Sequence, residues 1–178
     1  MPVQTLSLSA SLDGVDSVAP AAGVRWCVTL RDGTSGETKD GVYICPDEQH
    51  ELEGSRGVAN FVMKWKGSGK RCQVSIVEAG AAGKLTSADG LQPAHIVSFE
   101  CRGCEIVAYH PTEDDLWVVT SEGGSTFNDV PLTEPDWCEY DEANDASVEI
   151  SEIVFDVVSG SAGAKKGGGK RTKAKKKR

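Results

Sequence analysis

Six cysteines, at positions 27, 45, 72, 101, 104 and 138, are the side chains of this chain best suited to chemistry. One pair stands at a spacing with chemical meaning, Cys101-Arg102-Gly103-Cys104, a Cys-x-x-Cys. Such a pair serves as a dithiol–disulfide couple, with the neighbouring arginine lowering a thiol pKa, or as half of a four-ligand zinc site. Redox pairs of this spacing open a helix after a strand, whereas strand-type residues flank this one on both sides. The expectation is therefore reduced thiols acting as small hydrophobes. A thiol-dependent metal-binding or redox protein using Cys101 and Cys104 stands as the alternative, with Cys72 the further thiol a relocated site would recruit.

The other candidates are weaker. His50, His95 and His110 are scattered singly, and none has a cysteine at knuckle spacing. Hydroxyl or thiol triads are assembled in space rather than in sequence, and nothing along the chain favours one. No catalytic residue is assigned, and a non-enzymatic protein is expected. Glu113-Asp114-Asp115 and the acids of 134–142 read as a solvated face, with a divalent cation or a basic partner as the alternative.

Charge divides the chain in two. Nine of its 19 Lys and Arg residues lie at the end: Lys165, Lys166, Lys170, Arg171, Lys173, Lys175, Lys176, Lys177 and Arg178. The preceding 164 residues keep 10 basic side chains against all 27 acidic ones, a net of −17 within an overall −8. The tail, 159–178, has too little apolar surface to offset its ordering entropy and is expected to be disordered. It reads as a nuclear-targeting or polyanion-binding handle. Without aromatics for base stacking, any nucleic-acid binding is expected to be weak and non-specific. A component of a ribonucleoprotein, held by this tail, is a further alternative.

These side chains must be positioned by strands. Alternation marks strands at 3–10 and 147–158, and β-branched and aromatic residues mark one at 24–31. Further strands are read at 41–45, 58–66, 72–78, 94–100, 104–109 and 116–120, and no segment carries a sustained helical stripe. Asp13-Gly14, Pro20–Gly23, the run 32–37, Gly67–Lys70 and Ser121–Thr126 supply turns. The two prolines and five acids of 127–141 suit an irregular loop anchored by Phe127 and Trp137. The reading is all-β. A small-residue linker over 79–90 separates halves at about 1–79 and 90–158, which form one domain over 1–158. A faint repeat supports two halves: an Arg-then-Gly break at 31–33 and 102–103, and an EGS or EGGS turn at 53–55 and 122–125.

No apolar run approaches the roughly 18–20 residues of a membrane span. The amino end, MPVQTLSLSASLDG, lacks the basic and apolar regions of a signal peptide. A cytoplasmic or nuclear protein is expected, monomeric, with no membrane association and a protein partner of unknown identity.

Three pieces carry a family resemblance: Phe99-Glu100-Cys101-Arg102-Gly103, Asp136-Trp137 with Glu139-Tyr140-Asp141-Glu142, and Arg25-Trp26. In these the chain resembles the eukaryotic CXXC-motif zinc-binding protein family over about 150 residues, nearly everything before the tail. The resemblance implies a β-sandwich of two pseudo-symmetric halves. It also implies zinc, held by two Cys-x-x-Cys turns at hairpin tips. Residue by residue, the first pair falls on Asp32 and Ser35 and the second on Trp65 and Ser68. None is cysteine. Serine is a poor zinc ligand and tryptophan is none, so the family's zinc is expected to be lost and no cofactor is assigned. Trp65 is expected to fill the vacated space. The reading that results is a protein-interaction module without its family's metal.

Overall fold

The computed structural model describes residues 2–77 and 83–161. Residues 78–82, which include the start of the expected linker, and the basic side chains of the tail lie outside the described residues. Fifteen strands follow in order: β1 (Pro2–Asp13), β2 (Val15–Pro20), β3 (Trp26–Arg31), β4 (Thr38–Ile44), β5 (His50–Glu51), β6 (Val58–Ala59), β7 (Phe61–Lys64) and β8 (Arg71–Val77); then β9 (Leu85–Thr86), β10 (Ala94–Arg102), β11 (Glu105–Tyr109), β12 (Trp117–Ser121), β13 (Thr126–Val130), β14 (Trp137–Asp141) and β15 (Ala146–Ser161). One 3-10 turn, Ser87–Asp89, interrupts them. The expected all-β fold is present.

One layer is a six-stranded sheet ordered β14-β15-β1-β10-β8-β7. The other holds two smaller sheets, β11-β3-β4 and β13-β12-β2-β9. The core between them is aliphatic around an aromatic centre, with Trp26 edge-on to Phe99 and Trp117, and Tyr109 and Phe155 against them. β3 lies in the middle of its sheet and is buried along five consecutive residues, which is why its sequence, Trp-Cys-Val-Thr-Leu, shows no polar alternation.

Two long strands bend from the large sheet into the small ones at glycine corners. β1 runs into β2 through Gly14 and β10 into β11 through Gly103, at φ of 69° and 70°. A Cβ on Gly14 would strike the Ser147 carbonyl oxygen, and one on Gly103 the Arg71 carbonyl oxygen. Only glycine tolerates this combination of positive φ and close backbone approach.

These corners reveal the internal symmetry. β1 pairs with β10 at the centre of the large sheet, and hairpins β14–β15 and β7–β8 flank them. Leu12 pairs with Ile150 as Cys101 pairs with Val74, and Tyr140 with Ser147 as Lys64 with Arg71. Hairpins β3–β4 and β12–β13 occupy equivalent places in the second layer, each joined to the bent strand of the other half. The two halves are thus related by a pseudo-twofold axis that maps the large sheet onto itself and exchanges the two smaller sheets.

The repeat read from the sequence paired the wrong residues. Gly103 corresponds to Gly14, and the tip after Arg31 corresponds to the tip after Thr120. Two further differences are local. The segment between the expected turns at Asp13-Gly14 and Pro20–Gly23 is itself the strand β2. The stretch expected as an irregular loop contains β13 and β14, with both prolines between them and the rings of Phe127 and Trp137 meeting at 5.6 Å. β15 runs on to Ser161, pairing Ser159–Ser161 with Pro2–Gln4.

Candidate functional site: paired hairpin tips and a thiol cluster

The β3–β4 and β7–β8 hairpins end in the same turn. Gly36 N–H donates to Asp32 O (2.8 Å) and Asp32 N–H to Glu37 O (2.8 Å). In the second hairpin Gly69 N–H donates to Trp65 O (3.0 Å) and Trp65 N–H to Lys70 O (2.9 Å). Gly36 and Gly69 take φ of 75° and 67°, so Asp-Gly-Thr-Ser-Gly and Trp-Lys-Gly-Ser-Gly are two copies of one five-residue tip.

The fold brings the tips together. Gly67 N–H donates to Glu37 Oε2 (2.9 Å) and Lys70 Nζ to Thr34 Oγ1 (2.9 Å). Asp32, 1% exposed, lies at the junction. Its Oδ1 accepts from Thr34 N–H (2.9 Å) and its Oδ2 from Ser35 Oγ (2.7 Å). The Ser68 hydroxyl from the facing tip, together with these donors, holds the carboxyl down at a pKa of about 2. Trp65 is buried, and its Nε1 donates to Gly103 O (2.9 Å), tying the second tip to the corner of β10. All four positions singled out from the sequence therefore meet.

They do not suit zinc. Zinc knuckles use thiolates or imidazoles, whereas this set offers one carboxylate, two neutral hydroxyls and an indole that cannot ligate. Both Asp32 oxygens are already engaged by donors of the tips themselves.

Next to the tips lies a group of three thiols. Cys101 on β10 and Cys72 on β8 are buried on adjacent strands, while Cys104 emerges just past the corner at Gly103. The neighbouring Cys101 and Cys72 draw the Cys104 thiol below its usual pKa, against its burial and the charges of Asp32 and Glu105, while Cys104 and burial push the other two up. Cys104 Sγ also lies 3.8 Å from the Gln73 and Arg102 carbonyl oxygens, contacts that suit a neutral S–H. Carbonyl oxygens repel a thiolate and oppose ionisation at Cys104, but it is the least buried of the three and its charge is the least costly to form. Cys104 lines a surface cavity of about 340 Å³ together with Gln4, Asp32 and Glu105. Among the described residues no group of three or more His, Cys, Asp or Glu is arranged to hold a metal ion.

The second half has its own junction, which sequence reasoning missed. Asp141, 3% exposed, accepts from Ser121 Oγ, Ser125 Oγ and Asn144 Nδ2, each at 2.7 Å. Ser125 and Asn144 are the main donors holding it at a pKa of about 2. Serines at both ends of a Ser-Glu-Gly-Gly-Ser turn and an Asp three residues before an Asn were the available signals.

The histidines do not form a triad. His50 lies near Glu48 (3.5 Å), and His95 Nε2 shares a hydrogen bond with Ser98 Oγ (3.0 Å). His110 Nε2 meets Thr29 Oγ1 (2.8 Å), and that same hydroxyl donates to Asp40 Oδ1 (2.8 Å). The hydroxyl stands between imidazole and carboxylate, whereas a triad needs the imidazole in the middle. Asp115 departs from the solvated face expected of its cluster. It is buried, accepting from Arg25 N–H (3.0 Å), Arg25 Nε (3.1 Å) and Thr112 Oγ1 (2.6 Å).

Comparison with known proteins agrees with this geometry. A family model described as CXXC motif containing zinc binding protein, eukaryotic, matches residues 5–158. A UPF0587 protein of Nematostella vectensis is 36% identical over 147 residues, covering 82% of this chain and 91% of the relative. The Homo sapiens CXXC motif containing zinc binding protein is 32% identical over 155 residues, covering 86% and 96%. Among solved structures, a hypothetical protein from Plasmodium falciparum superposes with a TM-score of 0.81 at 26% identity, covering 89% of this chain and all of that one. The crystal structure of C1orf123 gives 0.80 at 31% identity, covering 88% and 98%. With the pseudo-symmetric sandwich, the paired tips and this likeness along nearly its whole described length, the chain belongs to the eukaryotic CXXC motif containing zinc binding protein family.

Proposed function

We propose that this chain is a non-enzymatic member of its family in which the hairpin tips are joined without zinc, and that it acts as a protein-interaction module. The observation that carries this is the hydrogen-bonded join of the tips: Gly67 N–H donates to Glu37 Oε2, Lys70 Nζ donates to Thr34 Oγ1, and the buried Asp32 carboxylate at the junction is engaged by its own tip. Hydrogen bonds and the buried Trp65 do here what a tetrahedral metal would do: they cross-link two turns that have little core of their own. A single zinc would need four soft or imidazole donors; the tips supply none.

The interaction role is supported by the sheet edges. β7 and β14 end the large sheet with unpaired backbone on one side. Beside β7, a cleft of about 490 Å³ mixes Leu52, Val62 and Met63 with Arg71 and Arg102. An apolar floor with a charged rim next to an edge strand is the setting in which an extended peptide adds to a sheet. The basic tail adds a salt-sensitive attraction for polyanions or a targeting signal. Among the described residues no helix is long and apolar enough to cross a membrane.

Elemental analysis of untagged protein, with thermal melts with and without a strong chelator, tests the first part. Sub-stoichiometric metal and an unchanged melt are expected. About one zinc per chain with a chelator-sensitive melt would overturn it. For the tail, truncation after Ser161 preserves the pairing of β15 with β1. That truncation is expected to abolish binding to nucleic acid and leave binding to a protein partner intact.

A further inference from the structure

Cys72 and Cys101 are buried on adjacent strands, and Cys104, just past the Gly103 corner that lies against the Cys72 backbone, lines a surface cavity. The pseudo-twofold axis supplies an internal control. The equivalent positions in the other half are Val148 for Cys72, Leu12 for Cys101 and Val15 for Cys104, read from the matched pairings of β8 with β10 and β15 with β1 and from the matched corners. The fold packs these positions with aliphatic side chains, so sulfur is not needed for packing. Gly103 presses directly on the Arg71–Cys72 backbone, which fixes Cys104 beside Cys72 as well as beside Cys101.

We propose that Cys104 is a hydroperoxide-reactive thiol, with buried Cys72 or Cys101 as the resolving thiol. In the first step the Cys104 sulfur attacks one oxygen of the hydroperoxide and the O–O bond breaks. Cys104 becomes a sulfenic acid, and the second oxygen leaves as hydroxide, which is protonated to water. In the second step the buried thiol attacks the sulfenic sulfur, the S–O bond breaks, and a second water leaves as the disulfide forms. Two thiols lose two electrons and the peroxide gains them. Attack begins at Cys104 because it alone of the three combines partial exposure with a place on the cavity wall, and the neighbouring thiols favour its ionisation against the charges of Asp32 and Glu105. Asp32 and Glu105 at the cavity select the oxidant: their charges disfavour anionic disulfides and admit a small neutral hydroperoxide.

The test is peptide mapping of the full chain after one equivalent of hydrogen peroxide, with remaining thiols alkylated in denaturant. Cys138, exposed on β14, is an internal reference for an ordinary accessible thiol. The expected result is a disulfide containing Cys104, a fall from six free thiols to four, and Cys138 still alkylated. Oxidation of Cys138 at or before Cys104, or Cys104 reaching sulfinic acid with no disulfide, overturns the proposal. In the Cys72→Val/Cys101→Leu variant, which copies the other half, the disulfide is lost and a dimedone adduct accumulates on Cys104. Absence of that adduct in a folded variant counts against the proposal. The map of the unsubstituted chain decides the matter if the variant does not fold.

Discussion

Asp32 and Asp141 do the same work in opposite halves of the molecule. Each is a buried carboxylate at the meeting point of two hairpin tips, and each accepts from serine hydroxyls. In the first half the acid comes from the β3–β4 hairpin, and in the second from β14–β15, the partner hairpin. The same cross-link is thus built from opposite sides of the junction. Both carboxylates are covered by their own turns rather than by deep core.

Acid should loosen both junctions. The two groups have folded pKa values of about 2, well below the roughly 3.9 of an ordinary aspartate. A depressed carboxyl contributes stability above its unfolded pKa and loses it as pH falls through the folded value. Denaturant melts are therefore expected to lose stability between about pH 4 and about pH 2. An Asp32→Asn/Asp141→Asn variant is expected to start less stable and to show a shallower loss across that window. An unchanged slope would mean other carboxylates dominate.

Trp65 combines bulk with a hydrogen bond, and two substitutions separate them. Trp65→Ala removes a fully buried indole and is expected to cost about 3–5 kcal/mol. Trp65→Phe retains most of the apolar volume but leaves the Gly103 carbonyl without its donor, at about 1–3 kcal/mol. Urea unfolding of both variants measures the split.

The glycine corners should resist substitution strongly, because each combines positive φ with a close backbone neighbour. Gly103→Ala meets both a positive φ and the Arg71 backbone, and Gly14→Ala meets Ser147 in the same way. Each is expected to cost at least about 2 kcal/mol. Gly36→Ala, with positive φ but open space around it, should cost only about 1 kcal/mol. Equal losses at all three would remove the close backbone approach as the cause.

Cysteines restored at 32, 35, 65 and 68 should recreate a metal clip, because the tip geometry is already present. The quadruple variant is expected to bind about one zinc and to melt lower when chelated, as structural zinc sites do. The unsubstituted chain should show neither effect. Measured zinc content and paired melts report both.

The strands and turns were legible because alternation and glycine placement are local properties. β3, β10 and the two Ser-Gly tips could be marked from their own residues. β2 escaped because six residues between two turn signals leave little pattern to see. β13 and β14 escaped because edge strands exposed on most positions carry Asn, Asp and Glu where a central strand carries apolar side chains. The positions 32, 35, 65 and 68 were picked out by the family resemblance, and that none of them carries a thiol was plain from the sequence. Which tips meet was decided only in three dimensions. The Asp32–Ser68 contact, the Asp141 junction and the approach of Cys72 to Cys104 all join residues far apart in the chain. Their closeness depends on where β1 and β10 bend and on which strand each then pairs with. The bends rest on two glycines that the sequence shows only as turns, while the Arg71 and Ser147 backbones that demand glycine there come from the flanking hairpins.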